Sequence, residues 1–470
     1  MERPRTFSLM DRKRQKRTAE ADLVGRDRGE APTAAGEGSE AIMAGGKNRG
    51  PTEAIGTMED ILEGENLKSA LKRVVTNRGS AGVDGMAVEK LTPFLMEHWP
   101  RIKQELLEDR YKPQPVRRAE IPKPDGGMRK LGIPTVLDRL IQQAVMQRLQ
   151  LVWDPMFSPH SFGFRPGRSA HQAVTQAQTF IAEGYRWVVD IDLEKFFDRV
   201  NHDILMSRVA KRVKDKRVLR LIRAYLNAGV MEDGLVSPTD EGTPQGGPLS
   251  PLLSNIVLDD LDRELEHRGL RFARYADDCN VYVRSRKAGE RVMAGIRQFI
   301  TKKLKLKVNE AKSAVARPWE RKFLGFSFTS SMKPKRRIAP KALERVKNRI
   351  RELTHRTQGR SLKDVIARLG VYLTGWCGYF AFCQTPRVLQ DLDSWIHRRL
   401  RSLVWKQWKR GPRRFAELRR RGVGKDLAAS TAGSPHGPWR ISRSPAMSLA
   451  IPDALLTRLG LPRLAPTAAV

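Results

Sequence analysis

The stretch "RFARYADDCNVYV", residues 271–283, sets two adjacent aspartates inside a run that otherwise reads as strand. Carboxylates form strands poorly and are costly to bury, so Asp277 and Asp278 need a reason to be there. A tight turn supplies one. "RFARY" and "CNVYV" read as the arms of a β-hairpin with Ala276-Asp277-Asp278 at its tip, where both carboxylates escape the burial penalty. An ordinary acidic turn fits the same pattern. A second acidic strand end changes the reading: in "WVVDIDLEKFFD" (187–198), Asp190 and Asp192 follow two valines and precede a change of period. Set beside the hairpin tip in one sheet, that strand end would gather oxygen ligands for two Mg²⁺ ions and a nucleoside triphosphate. Two such ions about 3.5–4 Å apart activate a 3′-hydroxyl and stabilise the leaving pyrophosphate. Phosphoryl transfer asks the protein chiefly for positioning and charge neutralisation.

Composition points to the partner. The chain has 470 residues and is 40% hydrophobic, enough for two to four units with a sizeable core. Lys and Arg number 87 against 52 Asp and Glu, a formal charge of +35, and such a surface attracts polyanions. No apolar run approaches the roughly 18 residues of a membrane span, and the N-terminus lacks a signal-peptide core. The three cysteines, Cys279, Cys377 and Cys383, include no CxxC pair. That spacing fits neither a disulfide framework nor a zinc site and points to a reducing compartment.

Outward from the aspartates, residues 1–56 read as a disordered leader rich in Gly, Ala, Glu and Arg. "VRRAEIPKPDGGMRKLGIPT" (116–135) reads as a hairpin, basic on both arms, around Pro124-Asp125-Gly126-Gly127. An amphipathic helix follows from Leu137 to Val152. "TPQGGPLSPLLSNI" (243–256) is a Gly/Pro loop opening a long helix, and "KFLGFSFTS" (322–330) reads as a strand. The order strand, helices, strand, helix, strand predicts one sheet backed by helices, an α+β core. Ser331–Lys425 carries 26 Lys/Arg against 6 Asp/Glu, about 20 of the 35 net charges, on helices with apolar stripes. Its aromatics, Trp376, Tyr379, Trp395, Trp405 and Trp408, interleave with arginines and serve either packing or base stacking.

"YADD", "DLEKFFD", "TPQGGPLSPLLSNI", "SFGFRPGRSAHQAV", "IPKPDGGMRKLGIP" and "KFLGFSF" occur here in the order known for the fingers and palm of reverse transcriptases. From about Met58 onward, including "YLTGWCGYFAFCQTP" and "LDSWIHRRLRSLVWKQWKR", the chain resembles the reverse transcriptase–maturases encoded by bacterial group II introns. The resemblance implies a right-hand polymerase fold, with fingers and palm followed by an all-α basic thumb. In this chain it would divide into a leader (1–56), an N-terminal extension and fingers (57–160), a palm (161–330), a thumb/maturase region (331–410) and a basic DNA-binding C-terminus (411–470). It implies Asp192, Asp277 and Asp278 as catalytic ligands of two Mg²⁺ ions, with the Leu193 carbonyl as a backbone ligand and Asp190 only tuning the site. Phe197 would crowd a ribose 2′-hydroxyl. Lys123, Arg129 and Gln245 would contact the dNTP, Tyr275 and Ala276 would lie under the template–primer end, and Arg165 and Arg168 would track the template. Lys312 would protonate pyrophosphate, and Arg413, Arg414, Arg419 and Arg420 would grip nucleic acid.

The implied partners are intron RNA, an RNA template, a DNA primer or target and dNTPs, with no membrane, in the bacterial cytoplasm. No HNH-type His/Cys cluster occurs, so second-strand nicking is not expected of this chain. The competing readings are a non-enzymatic splicing cofactor and a domesticated or defence-associated reverse transcriptase without an intron.

Overall fold

The hairpin at 271–283 forms, and a sheet is built around it. The computed structural model describes residues 56–122, 127–232, 235–237, 241–242 and 246–465. The leader expected over 1–56 lies outside them apart from Gly56, as do Lys123, Gln245 and most of the Pro-Asp-Gly turn. The described chain divides into two compact units, one up to Phe323 with Met332–Pro334, the other Leu324–Ser331 with the chain from Lys335 onward.

In the first unit the chain runs through α1 (Gly64–Asn77), α2 (Leu91–Leu107), β1 (Val116–Pro122), β2 (Met128–Ile133) and α3 (Val136–Trp153). It continues through α4 (Ala170–Ala182), β3 (Trp187–Ile191), α5 (His202–Ala210), α6 (Lys216–Asn227), β4 (Val230–Glu232) and β5 (Leu235–Ser237). Then come α7 (Ser250–His267), β6 (Arg271–Tyr275), β7 (Asp278–Val283), α8 (Arg286–Phe299) and β8 (Ala314–Ala316). The helix starts are written locally. Thr135 Oγ1 accepts from the Asp138 amide at the head of α3. Ser169 and Gln172 form a reciprocal capping box at the head of α4.

β1 and β2 pair antiparallel, from Arg117 opposite Ile133 to Pro122 opposite Met128, and β1 also runs parallel to β4 at Val116–Val230. The central sheet has the order β6-β7-β3-β8, antiparallel throughout. α4 packs against β6 and α8 against β3. Gly289 of α8 lets that helix lie close, since a Cβ there would stand 2.5 Å from Val315 Cγ1. Phe272, Val281, Val189 and Ile191 from the sheet and Leu252, Ile256 and Leu261 from α7 belong to one buried core.

One expectation is corrected. The strand read at 322–330 does not extend this sheet: only β9 (Phe326–Phe328) forms, and it pairs with β10 (Arg336–Ile338) in the second unit. The place beside β3 is taken by β8. Leu324 and Gly325 adopt φ of 51° and 78°, which turns the chain before the strand can join the palm.

The second unit is helical, with α9 (Pro340–Leu353), α10 (Leu362–Phe380), α11 (Arg387–Gln407) and α12 (Gly411–Arg420) followed by short helices to Arg458. Trp376, Tyr379, Trp405 and Trp408 are buried, so packing claims them and none offers a free face for base stacking. Trp395 is half-buried, with Arg351 and Arg399 over its ring at 5.7 and 5.2 Å. The C-terminal segment is folded onto α11: Asp393 accepts from the Leu464 amide at 3.1 Å, and His397 Nδ1 meets Asp453 Oδ1 at 2.9 Å.

Truncating Phe272, fully buried in β6, should cost about 3–5 kcal/mol. Urea unfolding of Phe272→Ala should show a lowered midpoint at unchanged slope.

Candidate active site

The ladder between β3 and β7 brings the two acidic strand ends together. Trp187 faces Val283 and Ile191 faces Cys279, so Asp192 leaves the end of β3 beside the residues that open β7, where its charge bears on both Asp277 and Asp278. Asp192 is braced from the other side: its amide donates to Ser313 Oγ at 3.0 Å and its carbonyl accepts from the Asn309 amide at 2.8 Å. The Glu194 amide donates to the Lys307 carbonyl at 2.9 Å. Leu193 stands between these two bonds, opposite Val308, so its own carbonyl faces away from residues 307–309. Lys195, at φ 48°, then turns the chain into a 3₁₀ segment with Phe196 buried and Phe197 half-buried, their rings 5.2 Å apart.

The hairpin tip is tighter than three residues, because Tyr275 pairs with Asp278 and leaves only Ala276-Asp277 between them. Ala276 adopts φ 55°, a left-handed conformation that costs an L-residue roughly 1–2 kcal/mol. Gly163 closes on it, where an added Cβ would lie 2.3 Å from the Ala276 nitrogen. The "SFGF" loop is thus fitted against the turn, with the Phe164 and Tyr275 rings 6.3 Å apart.

The tip does not remove the burial penalty as expected. Asp278 reaches solvent on one side and Asp277 is half-buried, yet protein surrounds both carboxyls closely enough to strip hydration. Burial, then the charges of Asp277, Asp190 and Asp192, push Asp278 up to about 7. Asp277 is also raised, by burial first and by Asp192 further down, against a lowering from Arg129. Asp190 differs: Arg321 Nη2 lies 2.6 Å from its Oδ2, although burial still raises its pKa. Among the described residues no Lys, Arg or His makes an ion pair with Asp192, Asp277 or Asp278. Nor is any group of three His, Cys, Asp or Glu side chains among them drawn together tightly enough to hold an ion. The donor set is all oxygen, as hard divalent cations prefer, and its repulsion is only partly offset, by the charges of Arg129 and Arg274 on Asp277 and of Lys322 on Asp278.

Other expected residues are placed unevenly. Arg129, exposed on β2, lies within electrostatic reach of Asp277. Lys312 is exposed beside Ser313, its carbonyl held by Arg321. Arg168 is exposed. Arg165 is a correction. Its side chain is 5% exposed and is spent on Asp154 Oδ1 at 2.8 Å and on the carbonyls of Asp154, Ser158 and Ser161. It builds the loop and cannot reach a template. Arg414 lies over Trp405 at 4.7 Å, Arg419 bonds the Val423 carbonyl and Arg420 pairs with Glu417. Arg413 is exposed. Sequence reading missed Arg321 and Lys322, whose charges bear on Asp190 and Asp278, although the basic pair ahead of "FLGFSF" was visible. It also missed Arg274, inside the opening motif.

Comparison with known proteins names this arrangement. The reverse transcriptase (RNA-dependent DNA polymerase) family profile matches residues 121–328, and that of the group II intron maturase-specific domain matches 343–422. Protein YkfC of Escherichia coli K12 is 32% identical over 295 residues, 54% of this chain and 77% of that protein. The group II intron-encoded protein LtrA of Lactococcus lactis is 39% identical over 206 residues, 44% of this chain and 34% of LtrA. Nuclear intron maturase 2 of Arabidopsis thaliana is 30% identical over 177 residues, 29% of this chain and 24% of that protein. The chain belongs to the family of group II intron-encoded reverse transcriptases and maturases. No helix among the described residues is long and apolar enough to cross a membrane.

The raised pKa of Asp278 has a signed consequence. Its carboxyl ionises near 3.8 when unfolded and near 7 when folded, so the folded state is increasingly penalised between those values and fully so above about 7. Without divalent metal, Asp278→Asn should melt higher than wild type at pH 8. The gap should close near pH 4 and shrink when Mg²⁺ is added. Calorimetry across this pH range checks it.

Proposed function

We propose that the chain is an RNA-directed DNA polymerase that extends a primer 3′-hydroxyl with dNTPs on an RNA template, and that it binds group II intron RNA as a maturase. What supports this reading is that the end of β3 runs beside the 276–278 turn, so that the charge of Asp192 bears on both Asp277 and Asp278, while among the described residues none of the three is in an ion pair. Asp192, Asp277, Asp278 and the Leu193 carbonyl are the groups that would hold two Mg²⁺ ions. Bound there, the metal supplies Lewis acidity toward the primer hydroxyl and the leaving pyrophosphate.

The remaining roles fall to the chain itself. Arg129, with Lys123, neutralises the triphosphate, and Gln245 contacts the incoming nucleotide. Phe197 limits space beside the sugar, while Tyr275 and Ala276 support the primer end. Lys312, on the segment that braces Asp192, gives its Nζ proton to the leaving pyrophosphate. Arg168 and Arg413 meet the nucleic-acid backbone, joined by Arg420, whose exposed pairing with Glu417 is weak. The family membership and a basic helical unit support intron RNA as the partner, in a bacterial cytoplasm.

Asp277→Asn should abolish primer extension on an RNA template while leaving RNA affinity within about twofold. Extension at the wild-type rate would refute the assignment, and a protein that promotes splicing equally well with this substitution would be acting as an RNA-binding cofactor in that step. In a filter-binding titration, Arg413→Gln and Arg420→Gln together should lower the log–log salt slope by about one per lost phosphate contact.

A further inference from the structure

We infer that Arg274 is the positioning residue of the catalytic turn, using its buried guanidinium to hold the Ala276 carbonyl and so to aim Asp277 and Asp278. This rests on the reading of those aspartates as the metal-holding pair. Arg274 and its partner Asp262, from α7, are both 0% exposed, with Nη2 2.6 Å and Nε 2.7 Å from the two carboxylate oxygens. Nη2 also donates to Ser161 Oγ at 2.7 Å. Nη1 donates to Asn255 Oδ1 at 3.0 Å and to the Ala276 carbonyl at 2.9 Å. All five guanidinium N–H bonds are thereby used.

The other members of the set converge on the same point. The Arg274 backbone exchanges bonds with the His160 carbonyl and the Phe162 amide, both at 2.9 Å. Asn255 Nδ2 donates to the Gly163 carbonyl at 2.8 Å, and Gly163 is the residue fitted against the Ala276 nitrogen. The strained φ of Ala276 is therefore clamped from both sides, by a guanidinium on its carbonyl and a loop at its amide. Stability alone does not explain an ion pair here, because well-packed apolar residues commonly replace buried pairs without loss. They cannot bind a carbonyl. Lysine cannot either while also reaching Asp262, Asn255 and Ser161, since it presents a single point charge where the set requires a planar fork.

The test is Mn²⁺ binding by electron paramagnetic resonance, without substrate, on wild type, Asp277→Asn, Arg274→Lys and the double variant Arg274→Met/Asp262→Leu. The double variant should stay folded, with a melting temperature near wild type. It and Arg274→Lys should both bind Mn²⁺ at least tenfold more weakly, as losing support behind a ligand typically does, and primer extension should lose kcat with little change in the KM for primer–template. A folded double variant with wild-type Mn²⁺ affinity would overturn the proposal. If Asp277→Asn also kept full Mn²⁺ affinity, the metal reading itself would fail, a separable result. One measurement needs no variant: in wild type without metal, hydrogen exchange at the Asp278 amide, where the ladder closes on Tyr275, should already be slow. Free exchange that slows only on adding Mg²⁺ would mean that the ion, and not Arg274, sets the turn, and would overturn the proposal equally.

Discussion

The register between β3 and β7 is the constraint on which the site depends. The side-chain period in a strand is two, so a slip of β3 by one residue would turn Asp192 away from Asp278 and drive Val189 away from the face it shares with Val281. Those valines are fully buried, and burying a side chain of that size contributes about 1.5–3 kcal/mol. The apolar core thus fixes which carboxylates meet. The position of the charges follows from residues that are not charged.

Having met, the charges work against the fold. Of the four aspartates at the site only Asp190 is in an ion pair among the described residues, with Arg321 at 2.6 Å, while Asp277 and Asp278 titrate upward under burial and repulsion despite the nearby charges of Arg129 and Lys322. A protein under selection for stability alone would pair or remove such groups. The surrounding parts hold the strained arrangement instead. Ser313 and Asn309 grip the Asp192 backbone, Gly163 crowds the turn, and the α7 side chains Asp262 and Asn255 reach Arg274 beneath it. Local strain of this kind is retained where the surroundings over-determine it.

The excess positive charge is handled differently. In the helical unit the large aromatics Trp376, Trp405 and Trp408 are withdrawn into the core. Arginines such as Arg414 and Arg421 lie across Trp405 and Trp408 at 4.7 and 5.2 Å. Stacking against an indole suits the weakly hydrated face of a guanidinium and leaves its edge able to donate. Aromatics and cations here cooperate by supporting one another.

Much of this was legible in order along the chain. The period-two runs at 187–191 and 271–283, the turn residues and the apolar stripes each carry local information, and local rules read it. The two acidic strand ends were recognisable because carboxylates in apolar runs are out of place. What tertiary structure alone decided was the fate of individual polar side chains. Arg165 and Arg168 stand three residues apart in one basic loop, yet one is spent on Asp154 and three carbonyls while the other faces solvent. Arg274 looked like a strand residue and proved to be the buried anchor of the turn, because its partners Asp262, Asn255 and Ser161 come from segments far away in sequence. The strand at 326–328 left the palm for β10 through two left-handed residues whose conformation no period reveals. A pattern shows which residues share a face; which partners wait on the other side of that face is set only when distant segments pack.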